Sequence, residues 1–279
     1  MVYEGVFQTF YSDGSLREES NYKEGKLNGI SRIYFPNGQL MEENNYRDNI
    51  KEGKSLLYFE NGTIKSELCF AGNKLSGTAK YYFEDGEPKA EITYLEGKKN
   101  GPAKVFYKSG SVKENKTHFN DKVEGLVSTY YKSGTIKGEW NYTNGVPEGK
   151  SRFYYESGEL MGEKNYKEGK DHGETQIFYK DGKLKEKINF DEGKRHGINL
   201  VFDETGEIKK KMIFANGVKA AEEAAKLNSV QQEKADVTTE PGPVSSYTTA
   251  QKVYMGIGAA AAVFIITFIF YILLIAVLQ

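Results

Sequence analysis

Glycine recurs in this chain with a period of 24 residues, and this period restricts the fold more than any other feature. One series of nine glycines runs from Gly5 to Gly197, and a second series of nine runs from Gly14 to Gly206. No insertion or deletion separates the nine copies, which we number from the first series. Because a fixed period is typical of repeat architectures, we expect each copy to be one structural unit stacked on the copy before it.

Each copy contains two turn signals. The second glycine follows a polar residue in stretches such as PNG, EDG and KDG, and Asn-Gly or Asp-Gly between β-rich runs favours a tight hairpin. A further position carries only Gly, Asn or Asp, as at Gly25, Asn49 and Asp121. These residues enter the left-handed backbone region at least cost, which indicates that a backbone angle rather than a side chain is required there. Each copy should therefore form two strands.

Residue types alternate along the second run of each copy. Ser20 and Tyr22 share one face, whereas Glu19 and Asn21 share the other, which is polar in most copies. A period of two with one solvated face fits an antiparallel meander. The predicted fold class is all-β: an elongated single-sheet antiparallel β-meander of nine 24-residue hairpin repeats, with a stripe of stacked aromatics as its core. A short helix and one C-terminal transmembrane helix are predicted to follow.

Aromatic residues lie at fixed positions in the copies. One follows each first-series glycine by five residues, and its neighbour is aromatic in eight copies, so rings should line both faces of the sheet. Packing is the simpler interpretation of these rings, and the alternative is a stripe that stays partly open as a binding surface. The candidate partner-binding residues are Tyr34, Tyr58, Tyr82, Phe106, Tyr130, Tyr154 and Phe178.

The repeated unit resembles a known family. Its clearest stretches are YFENGTIKSE, YYKSGTIKGEWNYTNGVPEG and NYKEGKDHG, which are similar to the MORN-repeat variant typical of bacterial YwqK-like proteins, a family of antitoxin components. The resemblance extends over about residues 1–219. It implies an all-β repeat sheet with roles in protein interaction, and contact with membranes for related arrays. It supplies no catalytic residues.

The repeat period ends after Gly217, and the composition then changes twice. A connecting segment is predicted over residues 220–252. It should consist of a short helix, from about Val218 to Lys234, and a flexible linker that contains two prolines. Residues 253–278 contain no charged residue and are long enough to cross a hydrocarbon core, which needs about 20 residues. The predicted domains are therefore a repeat array over residues 1–219, the connecting segment, and a membrane-spanning helix over Val253–Leu278.

A tail-anchored, single-pass membrane protein is the expected arrangement. Lys252 is the basic residue that flanks the apolar segment, and the first ten residues contain no signal-peptide core. Under the positive-inside tendency, Lys252 predicts that the repeats lie in the cytoplasm. The missing signal-peptide core favours the same location. Small residues in GIGAAAA could let two helices approach closely, so self-association stays open.

Residues that could carry chemistry do not converge on a catalytic or metal site in the sequence. His172 and His196 occupy equivalent positions one repeat apart, too far apart to share a zinc ion at about 2 Å from each. His118 stands where other copies have a packing aromatic, and Cys69, on the face where most copies have Asn, is interpreted as drift to a small residue rather than as a reactive thiol with a function. Trp140, the sole tryptophan, is interpreted as packing, with a binding hot spot as the alternative.

Composition and repeats together predict a binding protein. The chain has 38 basic and 39 acidic residues and lacks the basic excess of a nucleic-acid binder. We expect no enzymatic activity, no cofactor and no metal. The predicted function is a membrane-anchored, non-catalytic interaction scaffold for an unknown protein partner. The alternatives are an antitoxin-like inhibitor of a partner toxin and contact of the repeat sheet with membrane lipid.

Overall fold

The computed structural model describes residues 2–224 of the chain, and these residues form one antiparallel sheet of 23 strands. The strands are β1 (Gly5–Phe10), β2 (Leu16–Lys23), β3 (Lys26–Tyr34), β4 (Leu40–Arg47), β5 (Ile50–Tyr58), β6 (Ile64–Ala71), β7 (Lys74–Leu75), β8 (Gly77–Tyr82), β9 (Pro88–Leu95), β10 (Lys98–Phe106), β11 (Val112–Phe119), β12 (Lys122–Tyr130), β13 (Ile136–Thr143), β14 (Val146–Pro147), β15 (Gly149–Tyr154), β16 (Leu160–Lys167), β17 (Lys170–Asp171), β18 (Gly173–Phe178), β19 (Leu184–Asp191), β20 (Lys194–Arg195), β21 (Gly197–Phe202), β22 (Ile208–Ala215) and β23 (Val218–Ala224).

Successive strands pair antiparallel along the chain, so the sheet is an uncrossed meander, as predicted. The two-residue strands β7, β14, β17 and β20 are each separated by a single residue from the strand that follows. Both pieces pair with the same preceding strand, as β7 and β8 do with β6. Each repeat therefore contributes two strands, one of which is interrupted in some copies just before the first glycine.

The turns that join successive repeats have the backbone angles that the sequence predicts. Two consecutive residues have positive φ in every such turn within residues 2–224, for example 51° at Glu24 and 79° at Gly25. This is the type I′ pattern, whose twist matches that of the flanking strands. Asn49 and Asp121 occupy the position of Gly25 with φ of 67° and 69°, so the predicted left-handed angle is confirmed there.

The side chain at this turn position also matters in some repeats, which corrects the interpretation that only a backbone angle is required. The N–H of Asn73 donates to the carbonyl oxygen of Lys51 at 3.0 Å, and Asn73 Oδ1 accepts the N–H of Lys51 at 2.7 Å. Asn49 and Asp121 accept the equivalent hydrogen bond from the repeat before them. Where glycine stands at this position, as at Gly97, the bond from its backbone N–H to the preceding repeat is kept and the bond to a side chain at this position is lost. Turns of neighbouring repeats are thus joined directly to each other.

Small side chains, rather than aromatic ones, form the buried centre of the sheet. One face, which we call the serine face, carries Ser20, Ser31 and Ser55 in a central row, and Ser20 and Ser55 are only 1 % exposed. The Oγ atoms of Ser20 and Ser31 lie 2.7 Å apart across neighbouring strands. The predicted core of stacked aromatics is wrong: the described residues form a single sheet with no second layer to cover large rings, and mainly small side chains are fully buried in it.

The opposite face, which we call the glutamate face, carries ladders of paired charges. Arg32 Nε lies 2.8 Å from a carboxylate oxygen of Glu43, and Arg32 Nη1 lies 3.6 Å from one of Glu19. Lys54 and Glu67 form a similar pair further along the sheet at 3.3 Å. The predicted polar, solvated face is confirmed, and each partly exposed pair contributes a few tenths of a kcal/mol.

The chain immediately after Gly217 continues the sheet, which corrects the prediction of a helix beginning near Val218. Strand β23 pairs antiparallel with β22 over Val218–Ala224. Ala and Glu are good helix formers, but tertiary context routinely overrides helix propensity, and the exposed edge of β22 offers a row of unpaired backbone groups. The rest of the predicted helix, the linker to residue 252 and the predicted membrane helix over 253–278 lie outside the described residues. Across residues 2–224 we find no helix with the length and apolarity that crossing a bilayer requires.

Candidate partner-binding surfaces

The predicted aromatic stripe forms a single row on the glutamate face. Its members are all half-buried and stand at equivalent ends of successive strands: Tyr34, Tyr58, Tyr82, Phe106, Tyr130, Tyr154 and Phe178. Tyr82 Oη donates to a carboxylate oxygen of Glu67 at 2.9 Å, and Tyr154 Oη donates to Glu139 at 3.0 Å. Burial, and then these carboxylates, raise the pKa of both phenols. The stripe is therefore tied into the charge ladder of this face.

The second aromatic residue of each copy connects one repeat to the next. Tyr131 Oη donates to the backbone carbonyl of Tyr154 at 2.8 Å, and Tyr155 makes the equivalent bond to Phe178 at 2.8 Å. The same bond occurs at Tyr11, Tyr107 and Tyr179. The sequence analysis missed this contact, although the recurrence of tyrosine at a fixed position was a visible signal for it.

A groove of about 440 Å³ opens around Trp140 on the side of the sheet that carries the serine face. We call it the Trp140 groove, and its walls include Tyr107, Lys113, Tyr131, Lys137, Trp140 and Phe153. The rings of Trp140 and Phe153 meet edge to face, with centroids 5.4 Å apart. Tyr107, Tyr131, Trp140 and Phe153 are all half-buried, so each keeps part of its surface accessible to solvent.

Gly138 places Trp140 in this groove. A Cβ atom at Gly138 would lie 2.6 Å from Cη2 of Trp140, so the indole ring lies directly over the glycine. Glu18, Glu42 and Glu114 occupy the equivalent position in other repeats. The missing side chain makes the space that the indole fills, which agrees with the interpretation of Trp140 as packing while leaving its outer side uncovered.

A second apolar groove, of about 380 Å³, begins where the first one ends. Phe153 and Met161 line both grooves, and Ile177, Ile188 and Phe190 complete the apolar walls of the second. Gly162 lines it too, at the position equivalent to Gly138 in the next repeat. A Cβ atom there would come within 2.8 Å of the carbonyl oxygen of Gln176, so the close approach of two strands requires glycine. Two adjacent glycine substitutions thus expose neighbouring apolar surfaces.

His118 is buried in the fifth repeat, where it replaces the aromatic residue of the other copies. It is 5 % exposed, and its Nδ1 atom has no hydrogen-bond partner within residues 2–224. Burial lowers the pKa of His118, and the nearby cations Lys116 and Lys99 lower it further, against smaller opposing effects of Glu114 and Asp121. His118 therefore has the packing role that the sequence predicts, with an unsatisfied nitrogen that the sequence did not reveal.

The other two histidines lie at the edge where the repeats turn. His172 Nδ1 lies 3.5 Å from Asp191 Oδ1 in the following repeat, and His196 is exposed. In the described part of the chain, no three His, Cys, Asp or Glu side chains are grouped so that they could hold a metal ion. Cys69 is a free, exposed thiol.

Comparison with known protein families assigns the 24-residue repeats to one of them. The sequence pattern of the MORN repeat variant matches residues 3–24, 27–48, 51–71, 75–96, 123–144, 147–168, 171–192 and 195–216, which together make up more than half of the chain. The chain belongs to the MORN repeat variant family. The fifth MORN repeat, which carries His118, lies in the unmatched interval between residues 96 and 123. MORN repeats in general bind proteins or membranes, and the array is consistent with a non-catalytic binding scaffold.

No curated protein matches the sequence of this MORN array. Among solved structures, similarity is found to TarM (18% identity, TM-score 0.19, 39% of this chain and 19% of that chain). A porin-like protein from Bacteroides uniformis is 8% identical, with a TM-score of 0.18, over 78% of this chain and 92% of that chain. The TcdB2-TccC3-TEV structure is 14% identical, with a TM-score of 0.21, over 75% of this chain and 15% of that chain. The chain spans about a fifth of the length of TarM. The TM-scores are too low to indicate a shared fold, and nothing about function follows from them.

Proposed function

We propose that this protein is a membrane-anchored scaffold that binds a partner protein through its MORN array and catalyses no reaction. The observation that carries the proposal is the pair of adjoining grooves, of about 440 and 380 Å³, that share Phe153 and Met161. Half-buried aromatic and aliphatic side chains line them, and charged side chains stand at their rims. An apolar centre with a polar rim is the usual anatomy of a protein interface.

The residue types in the grooves also favour a protein partner. Trp and Tyr are enriched among the residues that contribute most to protein binding, and Trp140 is the only tryptophan of the chain. Because Gly138 lies beneath the indole, the ring is already held in position and loses little freedom on binding. An antitoxin-like inhibitor would be one form of such a scaffold, and the identity of the captured partner decides that point.

Membrane attachment is proposed for residues 253–278. The segment contains no charged residue and exceeds the length of about 20 residues that spans a bilayer. Deletion of residues 253–278 should move the protein from the membrane fraction to the soluble fraction after alkaline carbonate extraction. Retention of the shortened protein in the membrane fraction would contradict the anchor.

Site-specific photocrosslinking tests the partner surface. A photoreactive amino acid replaces Met161, which lines both grooves, and in a second variant it replaces Met41, which occupies the equivalent position in the second repeat. We expect irradiation of cells to join one reproducible protein to the Met161 variant and not to the Met41 variant. Mass spectrometry then identifies the joined protein. Equal labelling at both positions, or none at Met161 in folded protein, would exclude the grooves as the partner surface.

Direct contact of the array with lipid is a second candidate function, because one observation favours it. Lys65, Lys89, Lys113 and Lys137 recur at equivalent positions, are exposed, and lie over aromatic rings at 5.6–5.8 Å. A row of cations attracts an anionic bilayer surface. Flotation of the protein lacking residues 253–278 with phosphatidylserine vesicles tests this function, and protein that stays at the bottom of the gradient would exclude it.

A further inference from the structure

The rim of the Trp140 groove carries two cations without carboxylate partners. Lys113 Nζ lies 5.8 Å from the ring centroid of Tyr107, and Lys137 Nζ lies 5.6 Å from that of Tyr131. Both side chains are exposed, and within residues 2–224 neither forms an ion pair. Contact with a ring face leaves most of the ammonium group free to meet an anion. The groove therefore presents two available positive charges.

The carboxylate that lines the groove does not cancel these charges. Glu114 Oε1 lies 3.1 Å from Lys116 Nζ, with which it is already paired. Lys108, in the turn after Tyr107, adds no free charge, because its Nζ lies 3.0 Å from a carboxylate oxygen of Asp85. Among the charged residues that line the groove, Lys113 and Lys137 thus keep their charge available, and charge complementarity favours a negatively charged occupant.

The spacing of the two cations selects a backbone conformation for that occupant. Lys113 and Lys137 are one repeat apart, so two strand spacings of about 4.8 Å separate them by about 9.6 Å along the sheet. A polyproline II segment advances about 3.1 Å per residue, so side chains three residues apart lie about 9.3 Å apart on the same side. A β-strand places side chains of one face about 6.7 Å apart, which does not match the two lysines.

The floor of the groove suits proline rings. Polyproline II segments dock in grooves lined by aromatic side chains, and they lose little entropy because the conformation is already formed in the free chain. Trp140 and Phe153 supply such a floor. Thr129 keeps it open, since Tyr81, Val105 and Phe153 are the equivalent residues of neighbouring repeats.

We propose that the Trp140 groove binds an acidic, proline-rich segment of a partner protein in the polyproline II conformation. Carboxylates at positions i and i+3 of the segment meet Lys113 and Lys137, and proline rings next to the second carboxylate contact Trp140, on the strand of Lys137, and Phe153, on the following strand. This inference rests on the proposed function as a protein-binding scaffold, for which it names the chemistry of the partner segment.

Fluorescence of Trp140 provides a direct test, because no other tryptophan contributes to the signal. The probe is the capped peptide Pro-Glu-Pro-Pro-Glu-Pro-Pro, titrated into the full chain in a non-ionic detergent. We expect a saturable shift of the emission to shorter wavelength, weakened by added salt. The peptide with Gln in place of both Glu should bind at least about fivefold more weakly, the size expected for two exposed charge pairs.

Matched variants assign the binding to the groove. Lys113→Gln combined with Lys137→Gln should weaken binding of the acidic peptide at least about fivefold and leave the Gln peptide unaffected. Lys65→Gln is the control, because Lys65 lies over Phe59 in the same manner but stands two repeats before Lys113. It should leave binding unchanged, and circular dichroism should show the same β-sheet signal in all variants.

Three results would overturn the proposal. They are equal binding of the acidic and Gln peptides, binding that does not depend on Lys113 and Lys137, and a Trp140 response to phosphatidylserine vesicles without one to the peptide. The last result would assign the lysines to lipid. Failure of the peptide would leave the scaffold function standing if the Met161 variant still crosslinks its partner, so the two proposals fail separately.

Discussion

Replacement of His118 by phenylalanine should stabilise the array. Phe70, Phe190 and Phe214 occupy the equivalent position in other repeats, so the sheet accommodates this side chain. His118 is 5 % exposed and its Nδ1 atom has no partner in the described part of the chain. A buried polar atom without a hydrogen bond costs about 1–3 kcal/mol, and the slightly larger ring costs part of that gain. We expect His118→Phe to raise the free energy of unfolding by about 1–2 kcal/mol at pH 7.5.

The stabilisation should increase in mild acid. The pKa of His118 is lowered in the folded protein by burial and by Lys116 and Lys99, whereas the unfolded chain titrates near 6.5. As the pH falls below about 6.5, the unfolded state binds a proton that the folded state resists, so the native protein loses stability until the pH passes the folded pKa. The variant lacks this group. The difference should widen by up to about 1.4 kcal/mol per pH unit in that window.

Urea unfolding followed by Trp140 fluorescence measures this difference at pH 7.5 and pH 5.5. Trp140 lies in β13, separated from β11 by one strand, so it reports on the same part of the array. Fits should use a nearest-neighbour treatment, because repeats unfold in groups rather than all at once. His196→Phe is the control, since His196 is exposed, and it should change little at either pH. A His118→Phe protein that is less stable at both pH values, or whose advantage does not grow in acid, would refute the reasoning.

Three further changes test the turns, the groove and the surface. Asn73→Ala should cost about 1–3 kcal/mol in urea unfolding, because alanine resists φ of 67° and the acceptor for the Lys51 N–H is lost, whereas Asn73→Gly should cost less. Gly138→Ala should displace the indole of Trp140, seen as a shift in its emission, and destabilise by about 1–3 kcal/mol, because the added Cβ would lie 2.6 Å from Cη2. Cys69 should react fully with a maleimide in the folded protein without loss of sheet signal by circular dichroism, and protection of this thiol would contradict its exposure.

The turns and strands were predictable because their causes are local. Gly, Asn or Asp occupies the second positive-φ position of each turn between repeats, so the pattern at Gly25 and Asn49 reveals the turn without knowledge of its neighbours. The alternation of Ser20 with Glu19 likewise separates the two faces. The strand at Val218–Ala224 was not predictable in this way, because pairing with an open edge decided its conformation against its own helical preference.

The grooves could not be predicted from the sequence for a different reason. Gly138 and Gly162 are visible as departures from glutamate, but what they uncover depends on the residues opposite them on neighbouring strands. Gly138 pairs with Phe153, and Gly162 pairs with Ile177. A binding surface of this kind is set by cross-strand register, which single copies of a repeat do not reveal. The predicted stripe from Tyr34 to Phe178 exists as a row, and its part in binding stays a prediction.

The direct hydrogen bonds between successive turns hold neighbouring repeats at a constant spacing, so the length of the sheet is set by the number of repeats. Asn73 contacts Lys51 one repeat before it, and each repeat meets mainly its two neighbours. Removal or duplication of a whole 24-residue unit would therefore preserve the strand pairing and turn geometry at the junction of the remaining repeats. Each such event after the seventh repeat would shift the Trp140 groove by about 9.6 Å along the sheet relative to β23. Gain or loss of repeats after the groove in related chains would thus change the distance between a bound partner and the last strand of the sheet, without altering the groove that binds it.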